Sequence, residues 1–229
     1  MNPQVVLLLL LVAVPCTSAA PPPCSTPVDL AFMIDSSGSV SRRNFMRQGN
    51  FVKEVAKSFG PSQNGSRVAM VVYSTSASVE ARFGQYTDQE EFAGAVDSLP
   101  HGRGNSRIDK ALELTASDIF TQSRSGAPKI AILITDGVQT KAPDAKGLKE
   151  ASEPLRRAGV RVLAVGIGTG VDKEELRLVT ESDEDIVMVG NFKELLLKLG
   201  DLTSQACRLA GEHYQKSVRG TCGLRATGA

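Results

Sequence analysis

Two short apolar runs, about a hundred residues apart, each end in an aspartate. Residues 28–34 lead into Asp35-Ser36-Ser37-Gly38-Ser39, and residues 129–134 lead into Thr135-Asp136-Gly137. Runs this short and this apolar are typical of strands that a parallel sheet buries on both faces. The carboxyl ends of parallel strands meet at one edge of the sheet, where ligand sites of open α/β folds lie. The sequence therefore predicts that Asp35 and Asp136 share one edge.

Strand and helix patterns alternate along the rest of the chain. The predicted strands are residues 28–34, 67–73, 76–83, 129–135, 161–166 and 186–189, and the predicted helices are residues 41–59, 87–99, 106–122, 148–158, 173–180 and 192–206. This alternation predicts an α/β fold with a doubly wound, mostly parallel central sheet and helices on both faces. Segment 76–83 alternates polar and apolar residues, which indicates an antiparallel edge strand.

The amino-terminal residues have the pattern of a secretory signal peptide. Residues 5–14 are an unbroken apolar run, too short to span a bilayer, and small residues up to Ala20 follow it. We therefore expect a secreted protein with no membrane span. The expected division is a signal peptide (1–19), a proline-rich linker (20–27), one domain (28–205) and a cysteine-containing tail (206–229).

Three cysteines remain after Cys16 leaves with the signal peptide, namely Cys24, Cys207 and Cys222. An odd number in an oxidising compartment indicates one free or intermolecular thiol. Because domain termini are often close in space, a Cys24–Cys207 disulfide is favoured, with Cys222 free to link a second chain into a homo-oligomer. The pairing of Cys207 with Cys222 stays open as the alternative.

The formal net charge of +1 gives no general signal for nucleic acid or membranes. Basic residues gather in helix 41–59 and in the tail, either as solvated faces or as a contact for acidic glycans. Asn64-Gly65-Ser66 is a glycosylation sequon in a turn rich in Pro, Gly and Ser, so Asn64 is a predicted glycan site.

The aspartate loops resemble those of the von Willebrand factor A domain family. The resemblance rests on Asp35-x-Ser37-x-Ser39, a Gly-rich loop leading to Ser106 before Ala111-Leu112, and Thr135-Asp136-Gly137, and it covers about residues 28–205. It implies a metal-ion-dependent adhesion site. Ser37 and Ser39 would bind the ion directly, Asp35 and Asp136 partly through water, and Ser106 would stand where the family has a threonine.

The implied ligands are all oxygens, which suit Mg²⁺, with Mn²⁺ or Ca²⁺ as substitutes. Two carboxylates and neutral hydroxyls leave the charge of the ion unsaturated, so a partner's carboxylate can fill an open position. The resemblance to matrilins, cochlin and the collagen VI group implies a module that binds collagen or another matrix protein. Expected ligand contacts are Ser36, Ser41, His101, Arg103, Arg107, Val138 and Gln139. The alternative is a structural matrix component assembled by disulfides, with the metal only stabilising its loops.

Enzyme signatures fail in detail, so we expect no catalysis. A haloacid dehalogenase-type phosphatase needs a second acid where Ser37 stands, and a serine hydrolase needs Gly-x-Ser-x-Gly with a histidine. The only histidines are His101 and His213. Gly166-x-Gly168 resembles a dinucleotide loop, but the third glycine is replaced by Val171.

Overall fold

The computed structural model describes residues 26–62 and 64–223, with side chains up to residue 211. Six strands alternate with helices in the described part. In chain order the elements are β1 (Asp29–Asp35), α1 (Arg42–Phe59), β2 (Arg67–Tyr73), β3 (Ala77–Ala81), α2 (Gln89–Asp97), α3 (Ile108–Leu114), β4 (Lys129–Thr135), α4 (Leu148–Arg157), β5 (Val160–Ile167), α5 (Lys173–Arg177), β6 (Ile186–Val189) and α6 (Leu199–Gly223). No helix in this part is long and apolar enough to cross a membrane.

The strands form one sheet in the order β3-β2-β1-β4-β5-β6. All neighbours are parallel except β3, which runs antiparallel to β2. The chain starts at the centre, builds one side with β2 and β3, and then crosses to β4. Ile34 pairs with Ile134, so the acidic ends of β1 and β4 finish at the same level. The predicted doubly wound fold is confirmed, with its topological switch point between β1 and β4.

The two faces of the sheet are covered by different helices. On β1, Leu30 and Phe32 pack into a cluster with side chains of α1, α2 and α6, whereas Ala31 and Met33 pack into a second cluster with side chains of α3, α4 and α5. Burial of each large apolar side chain stabilises the fold by about 1.5–3 kcal/mol. Because both clusters anchor β1, the loop that follows it starts from a fixed point.

Helix ends follow local capping chemistry. Ser41 caps α1 by accepting a bond from the backbone of Asn44, and Gly60 ends it in the left-handed conformation, with φ of 58°. Asp88 caps α2, since its carboxylate accepts from the backbone amides of Glu90 and Glu91.

The last helix is longer than the sequence pattern indicated. A 3₁₀ turn (Leu195–Lys198) leads into α6, which continues to Gly223, so the predicted helix end at residue 206 is wrong. Good helix formers and the absence of proline after residue 206 explain the continuation. Much of the expected tail is therefore helical.

Candidate metal centre

The carboxylate of Asp35 is fully buried at the end of β1 and receives hydrogen bonds only from neutral groups. The backbone amide of Ser37 donates to Oδ1 at 2.8 Å. Around Oδ2 lie the hydroxyls of Tyr73 at 3.1 Å, Thr135 at 3.1 Å and Ser106 at 3.3 Å. A buried charge without a counter-charge is costly, even when it is hydrogen-bonded. The surroundings of Asp35 therefore favour a cation next to it.

Asp136 completes the acidic pair from the loop after β4. Ser39 Oγ donates to Asp136 Oδ1 at 2.6 Å, and Ser39 Oγ lies 3.0 Å from Ser37 Oγ. Burial raises the pKa of Asp136, the Ser39 hydrogen bond opposes that shift, and the charge of Asp35 adds to it. Two carboxylates and the hydroxyls of Ser37, Ser39 and Ser106 thus converge at one edge of the sheet.

The loop of residues 101–105 lies directly on the loop that follows β1. The amide of Gly38 donates to the carbonyl of Gly104 at 2.7 Å, and the amide of Arg103 donates to the carbonyl of Ser36 at 2.7 Å. A Cβ atom on Gly104 would lie 2.9 Å from the amide nitrogen of Thr75, which is too close for any side chain. Glycine at position 104 therefore lets the loop of residues 101–105 pass close to the turn between β2 and β3, just before Ser106.

Ser106 is also fixed by the loop that carries Asp136. The amide of Ser106 donates to Thr140 Oγ1 at 3.0 Å, and the amide of Thr140 donates back to the carbonyl of Ser106 at 2.8 Å. Ser106 as a whole residue is 8 % exposed. This reciprocal pair of bonds keeps the Ser106 and Asp136 segments in register.

A buried ion pair at the start of α3 joins the same two segments. Arg107 Nε and Nη2 donate to the carboxylate of Asp109 at 2.9 and 2.8 Å, and Nη1 donates to Asp144 at 2.9 Å. Gln139 Nε2 and the amide of Lys146 also donate to Asp109, at 2.6 and 3.1 Å. Burial alone would raise the pKa of Asp109, but the bonds from Arg107, Gln139 and Lys146 outweigh it and hold the pKa far below the usual range. We call Arg107, Asp109 and Gln139 the loop clamp.

The seven expected ligand contacts differ in how far they are exposed to solvent. Arg103 and Ser41 are exposed, and Val138 is 44 % exposed next to Asp136. His101 is half-buried, with Nε2 at 2.8 Å from the carbonyl of Val40 and its ring stacked on Phe45.

Three of those residues act within the protein instead. Ser36 is buried, its hydroxyl donates to the carbonyl of Tyr73 at 3.0 Å, and it accepts from the amide of Gly102. Arg107 is buried and ion-paired, and Gln139 is half-buried with its amide group bonded to Asp109. Burial therefore disfavours direct ligand contact for Ser36 and Arg107, and Gln139 belongs to the loop clamp.

Several residues that hold the site were not predicted from the sequence. Tyr73 and Thr135 end the strands on either side of β1, so the parallel register alone could have placed their hydroxyls beside Asp35. Gln48 is fully buried in α1, and its Nε2 donates to the carbonyl of Asp35 at 2.9 Å. A glutamine on the apolar side of a helix was the available signal.

The donor set fits a hard divalent cation. Its five side chains present only oxygen, and three of them are neutral hydroxyls. Across the described residues there is no group of three or more His, Cys, Asp and Glu side chains that could hold a metal ion, and the oxygen set here contains only two carboxylates. Such oxygen sites suit Mg²⁺, Mn²⁺ or Ca²⁺ rather than a thiolate-bound metal.

Comparison with known families agrees with this fold and site. The family model of the von Willebrand factor type A domain matches residues 29–205, and the chain belongs to this family. Cuticlin-6 of Caenorhabditis elegans is 30% identical over 79% of the chain and 31% of its own length. The collagen alpha-6(VI) chain of mouse is 29% identical over 81% of the chain and 8% of its own length. Matrilin-1 of chicken is 29% identical over 67% of the chain and 31% of its own length. The chain thus spans less than a third of the length of these relatives.

Solved structures show the same fold. Proximal thread matrix protein 1 from the mussel byssus superposes with a TM-score of 0.75 and 27% identity over 81% of this chain and 47% of that one. A form of that mussel protein with a zinc-occupied MIDAS motif has a TM-score of 0.73 and 25% identity over 81% of this chain and 49% of that one. A related fold therefore carries a divalent metal in the mussel protein.

Proposed function

We propose that this domain is an extracellular adhesion module that binds a carboxylate of a matrix protein through a divalent cation. The cation is held by Asp35, Ser37, Ser39, Ser106 and Asp136. The observation that supports the proposal is the convergence of two carboxylates and three hydroxyls, with only neutral hydrogen-bond donors around Asp35.

Some residues of the site would bind the cation, and others hold the cation-binding side chains in position. When bound, Mg²⁺ supplies an open coordination position that an incoming carboxylate can fill. Ser37, Ser39 and Ser106 contribute oxygens without charge, so the partner's acid is still attracted. Tyr73 and Thr135 hold the Asp35 carboxylate in place. The loop clamp keeps the Asp136 loop against α3, which preorganises the site.

The relatives support an extracellular, non-enzymatic role in the matrix. Their names are those of collagens, a matrilin and a cuticlin, and the signal-peptide pattern of residues 1–19 agrees with secretion. Collagen or another matrix protein is the partner class that we propose. Mg²⁺ is the proposed ion, with Mn²⁺ or Ca²⁺ able to replace it.

Binding to immobilised matrix extract tests this function. Surface plasmon resonance of the purified protein should show binding in Mg²⁺ that EDTA abolishes and that Asp35→Ala lacks. Asp97→Ala is the matched control, since its carboxylate is largely exposed and pairs only with Lys53. Equal binding in Mg²⁺ and EDTA, or equal binding by Asp35→Ala, would contradict the proposal.

Assembly through a disulfide is the second candidate, and one observation on Cys207 favours it. Cys207 is disulfide-bonded. Cys222 lies fifteen residues further along the same helix α6, about 22 Å away at 1.5 Å per residue, whereas a disulfide needs Cα atoms within about 7 Å. We infer that Cys24, which lies outside the described residues, pairs with Cys207, and that Cys222 is available to a second chain.

Non-reducing electrophoresis separates the two candidates. Disulfide-linked oligomers that disappear in Cys222→Ser would support assembly, and peptide mapping should find Cys24 joined to Cys207. A monomer on the non-reducing gel would contradict assembly through Cys222 and leave metal-dependent binding as a separate question.

Asn64 is proposed as a glycan site that leaves the metal centre open. It is exposed in the turn between α1 and β2. This turn precedes the start of β2, at the edge of the sheet opposite Asp35. A mass decrease after glycosidase treatment of the secreted protein, absent in Asn64→Gln, is the expected result.

A further inference from the structure

Ion pairs are unevenly distributed among the arginines. Most described arginines pair with an acid, namely Arg67, Arg82, Arg107, Arg124, Arg156, Arg157, Arg161, Arg177 and Arg208. Among the side chains that the structure describes, Arg42, Arg43, Arg47 and Arg103 have no acidic partner. The unpaired arginines occupy two segments, the first two turns of α1 and the loop of residues 101–105.

Both segments flank the metal loop. Helix α1 begins at Arg42, three residues after Ser39. Arg103 is bonded through its backbone amide to the carbonyl of Ser36 at 2.7 Å. Arg47 is half-buried, and its guanidinium donates to Asn44. The other three, Arg42, Arg43 and Arg103, are exposed. We call these three residues the arginine rim.

The position of Arg103 is conformationally unfavourable for its residue type. Its φ is 53°, and it is the only non-glycine residue with a positive φ in the described part of the chain. Glycine would adopt this backbone without strain, as its neighbours Gly102 and Gly104 could. Strain of this kind persists where the side chain has a role, and the exposed guanidinium has no partner inside the described structure.

The arginine rim also has an unfavourable electrostatic setting. The first turn of α1 carries no acidic residue, although the positive end of a helix favours acids there. Arg42 and Arg43 occupy that turn instead. This end of the molecule therefore attracts anions and steers them towards the metal loop.

We propose, on the basis of the proposed function, that the rim recognises a second acidic group on the same ligand. The preferred partner is an acidic peptide segment in which one carboxylate binds the cation and a nearby carboxylate binds Arg103, with Arg42 and Arg43 adding attraction. A guanidinium matches a carboxylate through two parallel hydrogen bonds, which lysine cannot form. A peptide is favoured over a long sulfated glycan because the unpaired arginines form a small group beside one metal site and no extended track.

Titration with defined peptides tests this inference. The probes are glycine-based synthetic peptides with one glutamate, or with two glutamates separated by zero to three glycines, measured by calorimetry in saturating Mg²⁺. The best two-glutamate peptide should bind the natural domain about tenfold more tightly than the one-glutamate peptide, the gain expected of one charge-assisted pair.

Variants assign that gain to Arg103. Arg103→Gln should reduce the affinity ratio between the two peptides to about one, and Arg103→Lys should restore only part of it. Lys57→Gln makes the same change in charge at an exposed residue near the other end of α1 and should keep the full ratio. The Mg²⁺ affinity of each variant, measured in the same way, shows whether its metal site is intact.

Three results would overturn the inference. An equal ratio in the natural domain and Arg103→Gln would remove Arg103 from recognition. Tight binding of a heparin oligosaccharide that depends on Arg103 and persists in EDTA would assign the rim to sulfated glycans. Failure of every peptide to bind in Mg²⁺, with Mg²⁺ itself bound, would count against the proposed function and therefore against this extension of it.

Discussion

Strand β1 carries a fully buried aspartate at each end, and the two are stabilised in opposite ways. The carboxylate of Asp29 accepts hydrogen bonds from Arg67 Nε and Nη2 at 2.9 and 2.6 Å. It also accepts hydrogen bonds from the backbone amide and Nε of Arg124 at 2.6 and 2.9 Å. Burial alone would raise the pKa of Asp29, but these bonds and charges lower it. Asp35, six residues later, has only neutral donors.

The two ends of β1 differ in whether the buried carboxylate has a counter-charge among its hydrogen-bond partners. The Asp29 end neutralises its own charge, so it contributes to stability and needs no ligand. The Asp35 end holds two acids and neutral hydroxyls, so the proposed cation would supply the counter-charge that these hydrogen-bond donors do not provide. Asp29 and Asp35 are equally buried, but of the two Asp29 alone is paired with arginines. We therefore expect Asp29 to contribute to stability and Asp35 to ligand binding.

The largest expected effect is the loss of the Asp29 ion pairs. Asp29→Asn should lower the free energy of unfolding by about 3 kcal/mol, because it leaves Arg67 and Arg124 without their counter-charge. Urea unfolding should show the same loss in Mg²⁺ and in EDTA. Asp97→Asn, at a largely exposed surface pair, should change stability by less than about 0.5 kcal/mol. A loss of unfolding free energy that appeared only in Mg²⁺ would contradict the view that Asp29 stabilises the fold independently of metal.

The lowered pKa of Asp29 predicts an acid-sensitive contribution to stability. Because its pKa is lower in the folded than in the unfolded protein, the contribution is present above the unfolded value and disappears as the pH falls through the folded one. Asp29→Asn should therefore lose less stability than the natural protein between pH 5 and pH 2, both measured in EDTA. Parallel pH profiles would show that Asp29 is not the source.

Metal should stabilise the opposite end by a slightly smaller amount. Mg²⁺ at a hundred times its dissociation constant should add about 2.7 kcal/mol, which raises the Tm of a domain of this size by about 5–10 °C. Asp29→Asn should retain this increment because its site is separate. Thermal unfolding with and without EDTA measures both, and a missing increment in Asp29→Asn would show that the two ends are coupled.

Much of this arrangement follows from the sequence, and the exceptions have physical reasons. All six strands lie within two residues of their predicted bounds, since apolar runs between turn residues are local signals. The loop clamp and the Asp29 ion pairs were not predicted. Arg107 meets Asp144, and Asp29 meets Arg124, only after loops far apart in the chain have folded. A single charged residue in a sequence does not indicate whether it will face solvent or a distant partner.

A smaller effect is expected from neutralising Asp136 without metal. Its raised pKa means that the carboxylate at neutral pH is disfavoured by folding, so Asp136→Asn in EDTA should leave stability unchanged or raise it by up to about 1 kcal/mol. In Mg²⁺ the same variant should be less stable than the natural protein, because it loses a ligand. Urea unfolding in both conditions gives the sign, and destabilisation in EDTA would contradict the account.

The smallest effect concerns the hydroxyl at position 106. Ser106→Thr should tighten Mg²⁺ binding about twofold, because a β-branched side chain loses less rotamer freedom when its oxygen is fixed. Calorimetric titration detects this change, and Ser98→Thr, on an exposed residue after α2, is the matched control. Weaker binding by Ser106→Thr would mean that the buried site has no room for the methyl group.

Calorimetric titration of Mg²⁺ into the natural domain and Asp35→Ala is the most direct test of the metal site. The domain is first stripped of metal with EDTA, and the chelator is then removed. The natural domain should then bind one Mg²⁺ with a measurable heat. Asp35→Ala should bind none while its circular dichroism spectrum stays that of the folded domain. Equal Mg²⁺ binding by the two proteins would contradict the assignment of this edge of the sheet as a metal site.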